Sequence, residues 1–242
     1  LVAASTIPMA LGVWQRGYCI EGGWRTPDQY FHLCFSDLPA TFASADLGAG
    51  IGAYLAGGAG APAPAQPPLT ALLLTLTGGL IPFGSPDAQA RWFFGVWAVL
   101  AAVLLALLTW WTAGSARRMP LRASHVALSP VVALTTLVAP DILGVALAAA
   151  GLYAWSRSRP GWAGVLLGLA IAARSYPILI VLAILVVALR AGRARVALRT
   201  ALIALVTAAA VYAVVAVRHP AGAVAALVAW RDGGAGLGSP WV

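Results

Sequence analysis

Hydrophobic positions in this chain fall in long unbroken runs, not in the narrow i, i+3, i+4, i+7 stripe of a water-soluble helix. The clearest run, Trp92–Thr112, contains no charged residue and carries Trp92 and Phe93 at one end and Trp110 and Trp111 at the other. Paired aromatic residues at both ends of an apolar helix are the pattern of a membrane span. Three more runs follow, Ala123–Ser156, Gly161–Leu189 and Val196–Val217, and within the last Leu198–Ala216 reads as a further span. Leu1–Val13 is apolar but shorter than the ~20 residues a spanning helix needs, and it reads as the outer end of a first helix. Leu69–Leu80, stopped by Pro82, is also too short, and it predicts an interfacial or re-entrant helix.

The two middle runs decide the topology. Each carries a proline and a charge near its centre, Pro140-Asp141 in one and Arg174 with Pro177 in the other. A straight helix would hold each charge near mid-membrane, at a cost of roughly 2.5–3.5 kcal/mol, and proline would interrupt its hydrogen-bond ladder. Folding each run into a two-legged hairpin moves both charges to the tips. It also brings Arg117/Arg118/Arg122, Arg157/Arg159 and Arg190/Arg193/Arg195/Arg199 to one face, as the positive-inside rule prefers. The expected fold class is therefore all-α, a polytopic transmembrane helical bundle with short broken helices and hairpins and a long first extracytoplasmic loop. The expected segments are 1–14 as the end of a first transmembrane helix, 15–90 as the extracytoplasmic loop with its interfacial helix, 91–217 as transmembrane helices and two hairpins, and 218–242 as an extracytoplasmic loop.

Composition agrees with a lipid environment. The chain is 61% hydrophobic and 9% charged, against about 25% charged in soluble domains. Its net charge is +8, with arginine and no lysine. The arginines sit in short clusters between apolar runs, without a basic helix face or a stacking platform, which excludes nucleic acid as a partner. The stretch from Gly48 to Pro68, rich in Gly, Ala and Pro, reads as a flexible linker or loop. Cys19 and Cys34 are the only cysteines. Both fall in the first outer loop, where disulfides are permitted. A bridge between them is the expectation and two unpaired buried thiols the alternative. Neither a CxxC spacing nor a histidine cluster is present to suggest a metal site.

Several short motifs carry a family resemblance. Phe31-His32-Leu33-Cys34-Phe35-Ser36-Asp37-Leu38-Pro39 resembles the Cys-Tyr-Ser-Asp loop of actinobacterial membrane glycosyltransferases of family 87. Pro67-Pro68-Leu69-Thr70 resembles that family's Tyr-Pro-Pro-Leu segment, and Leu128-Ser129-Pro130 with Pro140-Asp141-Ile142-Leu143 resembles its Ser-Pro…Asn-x-Asp-x-Leu hairpin. Trp162 to Leu169, then Ala173-Arg174-Ser175-Tyr176-Pro177, is similar to its Leu-Ala-Gly-Val-Leu-Leu-Gly-Leu…Ala-Lys-Leu-Tyr-Pro signature. Trp230-Arg231-Asp232 with Gly238-Ser239-Pro240-Trp241 is similar to its Arg-Gly…Ser-Leu-Trp loop. The chain departs from the pattern where Arg174 replaces a lysine, Ala139 an asparagine and Gln66 a tyrosine. The resemblance covers most of the chain and suggests a fragment of a longer protein.

It implies transfer of a sugar, usually mannose, from a polyprenyl-phosphate donor to a glycolipid or glycan hydroxyl on the extracytoplasmic face of the plasma membrane. Such a reaction needs a base for the hydroxyl proton and cations for the departing phosphate. The resemblance implies Asp37 as the base; its competing role is to cap the helix begun by Leu38-Pro39. Arg174 offers a bidentate fork for phosphate, or else pairs with Asp141 across the hairpin tips. Asp141 would orient Arg174 or bind a sugar hydroxyl, and Tyr176 would stack on a sugar or mark the interface. Arg218, His219 and Arg231 follow the last span and are candidates for contacting the lipid phosphate or the acceptor. A lipid phosphate leaves without a general acid, and no Asp-x-Asp pair marks a nucleotide-sugar metal site, so no metal and no cofactor are expected. The rival reading is a non-enzymatic flippase, transporter or inactive homologue, since broken helices with midplane charges also suit a transporter.

Overall fold

The computed structural model describes residues 1–58, 60–115 and 119–232. The described residues form helices and connecting turns with no strand. At the start are α1 (Thr6–Gln15), α2 (Gly17–Gly22), α3 (Asp28–Phe31), α4 (Asp37–Ser44), α5 (Gly50–Ala56) and α6 (Pro68–Gly78). The bundle proper contains α7 (Pro86–Ser115), α8 (Ser124–Ala127), α9 (Pro130–Thr135), α10 (Ile142–Ser156), α11 (Pro160–Ala173), α12 (Pro177–Arg190) and α13 (Ala194–Arg218), and α14 (Pro220–Asp232) follows it.

Two helices, α7 and α13, are long and apolar enough to cross a membrane. Their 30 and 25 residues correspond to about 45 Å and 37 Å of helix. The helices between them are shorter, and prolines set their starts. Pro130, Pro160 and Pro177 each occupy a first-turn position, where the missing N–H costs nothing and the fixed φ favours the helix.

Residue register shows how these short helices are strung together. Gly151 packs against Leu167 and Gly144 against the stem of Arg174. Numbers rise on one helix as they fall towards the other's start, so α10 and α11 are antiparallel. Gly164 meets Thr200 and Ile203, and Gly168 meets Ala204 and Thr207. There the numbers rise together, so α11 and α13 are parallel and α12 runs back between their ends. Gly114 meets Tyr153, while Phe94 and Trp97 share a core with Ile142 and Ala146, so α7 and α10 are parallel. The leg before α10, through α8 and α9, runs alongside α1, with Gly12 against the backbone of Ala133. Both middle runs thus double back. Arg122, Arg157, Arg159, Arg190, Arg193, Arg195 and Arg199 fall at one end of the bundle, and residues 136–141 and 174–176 at the other. Arg117 and Arg118 lie outside the described residues.

The segment 15–90 folds over the tip end. α6 is not laid on a surface: Thr70, Ala71, Leu74, Thr75, Thr77 and Gly78 are all buried. Its threonines have partners inside the protein. Thr70 Oγ1 donates to the carbonyl of Ala173 at 2.8 Å, and Trp97 Nε1 donates to Thr77 Oγ1 at 3.0 Å. The linker reading of 48–68 fails for its first part. Ile51, Tyr54 and Leu55 stand at i, i+3 and i+4, a helical face, and Tyr54 is fully buried on α6 and α13. Gly57 follows at φ 66° against the carbonyl of Arg218, a left-handed position with no room for a side chain. Arg16 is 1% exposed. It donates from Nη1 to Gly12 O and from Nη2 to Leu134 O, both at 2.9 Å, tying α1 to α9.

Candidate functional site

Asp37 is the first residue of α4. The helix cap is its neighbour: Ser36 has extended backbone, and its Oγ accepts from the N–H of Leu38 at 3.4 Å. The same hydroxyl donates to the carbonyl of Leu137 at 2.8 Å, and the N–H of Asp37 donates to the carbonyl of Val138, also at 2.8 Å. The Asp37 carboxylate is therefore spared the capping role, and its backbone is stitched to the tip of the first hairpin. Just upstream, Cys19 and Cys34 form a disulfide with a Cα–Cα distance of 5.9 Å, which holds α2 to the strand of chain leading into Ser36.

Three residues beyond Val138 stands Asp141, and Arg174 at the second tip forms an ion pair with it. Arg174 leaves α11 with extended backbone. Its stem lies over Gly144, and the Tyr176 hydroxyl reaches the same spot. A Cβ at Gly144 would lie 3.0 Å from Arg174 Cγ, so the bare glycine is what lets the arginine lie flat. The Thr70–Ala173 hydrogen bond fixes this tip from above. Arg174 Nε is buried without a hydrogen-bond partner among the described residues.

The three charged groups sense one another. Asp37 is half-buried, and burial raises its carboxyl above the ordinary 3.8; the negative charge of Asp141 raises it further, and Arg174 opposes both. A carboxylate desolvated beside a second carboxylate and a guanidinium is a more avid proton acceptor than one in water.

The remaining sequence-predicted residues are placed elsewhere. Arg218 ends α13 and is exposed. His219 is buried, with its ring 5.1 Å from that of Tyr54 in an edge-on arrangement. Arg231 is exposed and pairs with its neighbour Asp232 at 2.8 Å. None of the three is hydrogen-bonded or ion-paired with Asp37, Asp141 or Arg174 among the described residues. Gly238-Ser239-Pro240-Trp241 lies outside the described residues. His32 stacks on Tyr18 with ring centroids 3.5 Å apart. Sequence reading missed Ser36, the carbonyls of residues 137 and 138, Thr70 and Gly144. A serine immediately before Asp-Leu-Pro is a cap signal, whereas the other partners have no signature in the chain.

A helical bundle with two membrane-length helices, closed at one end by hairpin tips that carry an acid and a guanidinium beside a second acid, defines a membrane-type protein with a polar site at one end. Its sequence matches the family model Glycosyltransferase family 87 over residues 66–236, and the chain belongs to that family. It is thus a glycosyltransferase by descent, with a sugar donor and an acceptor as substrates. Comparison with curated proteins and with solved structures gives no match. The matched segment holds Asp141, Arg174 and Tyr176, and Asp37 precedes it.

Proposed function

We propose that this protein transfers a sugar, mannose being the first candidate, from a polyprenyl-phosphate donor to the hydroxyl of a glycolipid or glycan, with Asp37 as general base. The protein is a multi-pass protein of the plasma membrane. The arginine-bearing end faces the cytoplasm, as the positive-inside rule prefers, and the hairpin tips face the extracytoplasmic side together with 15–90 and 218–242. The observation that carries this reading is the convergence of Asp37, Asp141 and Arg174 from three separate parts of the chain.

The acceptor hydroxyl attacks the anomeric carbon. Its proton passes to Asp37 as the C–O bond forms, and the bond to the lipid phosphate breaks with the electron pair going to phosphate. The part-exposed guanidinium of Arg174 meets the charge that develops on the phosphate oxygens. Asp141 holds the guanidinium in place, and Tyr176 beside it contacts the sugar. Arg218, His219 and Arg231 are left to the acceptor side or to packing.

The test is transfer of labelled mannose from polyprenyl-phosphate mannose in membranes. Asp37→Asn is expected to lower the rate by roughly 10²–10⁴-fold, the size of a lost general base, with donor binding retained. Equal rates in the two proteins would end the assignment of Asp37.

A further inference from the structure

At the arginine end, α7, α10 and α11 leave a cavity of about 500 Å³ between them, lined by Trp111, Tyr153, Arg157, Arg159, Trp162 and Leu166 among others. It is remote from the site described above. The 14 residues of α11 separate Arg159 from Arg174 by about 21 Å of helix. We infer that this cavity binds the phosphate headgroup of an anionic phospholipid from the leaflet facing the arginine end.

Four observations converge on an anionic amphiphile. First, the charge is unbalanced. Between Arg117 and Arg199 the only acidic residue is Asp141, at the far tips, and neither Arg157 nor Arg159 forms an ion pair among the described residues. Second, the Arg157 guanidinium lies 4.9 Å from the centroid of the Tyr153 ring. A cation over an aromatic face keeps its charge while its planar fork is pre-oriented, which favours bidentate contact with phosphate oxygens. Third, Trp111 and Trp162 flank the cavity at the depth where α7 and α11 meet their polar ends, the level at which indole rings sit among headgroups. Fourth, the wall continues into Ala150 and Leu166, which suits the first methylenes of an acyl chain and offers nothing to a free anion. Basic pockets between membrane helices on the cytoplasmic side recognise lipid phosphates by this combination.

The experiment measures lipid retained by the full-length protein after purification in mild detergent, by native mass spectrometry with added phosphatidylglycerol or phosphatidylcholine. Wild type is expected to hold phosphatidylglycerol in preference to phosphatidylcholine. The double variant Arg157→Gln/Arg159→Gln is expected to weaken that binding at least about tenfold, the size of one lost charge-assisted contact. Arg195→Gln/Arg199→Gln removes the same charge from the exposed start of α13 and is expected to leave retention unchanged. Equal loss in both double variants would show a diffuse charge effect and overturn the site. Displacement of the lipid by millimolar glycerol phosphate would show that the cavity takes a soluble phosphate and would overturn the lipid assignment. The readout does not involve sugar transfer, so it stands or falls independently of the function proposed above.

Discussion

Asp37 gains its chemistry from where its neighbours put it. Ser36 takes the capping duty and donates a hydrogen bond to the carbonyl of Leu137, which leaves the adjacent carboxylate uncommitted. Burial and Asp141 raise the carboxyl, and Arg174 lowers it. If transfer requires ionised Asp37, the acidic limb of the pH–rate profile has its midpoint above 3.8. Asp141→Asn is expected to move that limb to lower pH and Arg174→Gln to higher pH; an unmoved limb in both variants would exclude Asp37 as the titrating group. The same environment has a cost in stability. In the unfolded chain Asp37 titrates near 3.8, so folding takes up a proton between that value and the raised one. The stabilising contribution is complete below 3.8 and is lost as pH rises through the folded value. Asp37→Asn is therefore expected to raise the thermal midpoint at pH 7, with the gain shrinking on acidification, measured by thermal unfolding in detergent across pH.

Among the elements, α11 packs closely on α13. Its Gly164-Val165-Leu166-Leu167-Gly168 is a small-xxx-small stripe, and Cβ atoms at the two glycines would lie 2.7 Å from the carbonyl of Thr200 and 2.5 Å from that of Ala204. Backbone oxygens on α13 cannot step aside as side chains do. Gly168→Val is expected to lose about 1–3 kcal/mol through overpacking, read as a lowered unfolding midpoint. Gly161→Ala, facing open space at the start of the same helix, is the control and is expected to be neutral. The disulfide acts on a different element. It closes a loop with a sequence separation of 15, and Cys19→Ser/Cys34→Ser is expected to cost about 3 kcal/mol in the chain-entropy account. Because Cys34 lies three residues before Asp37, that variant should also lose transfer activity beyond its loss of folded protein, when rates are normalised to the folded fraction. The helix α5 shows how composition misleads: five of the residues 48–58 are glycine, yet Tyr54 in their midst anchors a helix to α6.

The whole molecule has two unlike ends. One holds arginines without ion pairs among the described residues and the lipid-headgroup cavity; the other holds the tips, the disulfide and nearly all the acids. The register of α10, α11 and α13 requires both middle runs to turn back. Single cysteines introduced as Ser158→Cys and Ser175→Cys are therefore expected to react with a membrane-impermeant thiol reagent from opposite sides of sealed vesicles. Labelling of both from the same side would refute the hairpins and, with them, the meeting of Asp141, Arg174 and Asp37.

Hydropathy and charge placement alone determined that the chain is helical, that it is built for lipid and that its arginines share one end. These follow from transfer free energies, which act residue by residue and need no partner. The breaks at Pro140 and Pro177 were legible for the same reason, because a proline and a charge penalise a straight span wherever the rest of the chain lies. The pairing of Arg174 with Asp141 across the tips was legible as one of two roles open to the arginine, and the structure forms it; how the Asp37 loop joins them was not. Ser36 and Leu137, joined by a hydrogen bond, are 101 positions apart, and the bare carbonyls that anchor the Asp37 loop have no mark in the sequence. Tertiary packing chose those partners, since an unpaired backbone group buried between helices is costly and takes whatever donor the fold delivers. It also sent His219 under Tyr54 and Arg231 to Asp232, where position after the last span had promised them to the site.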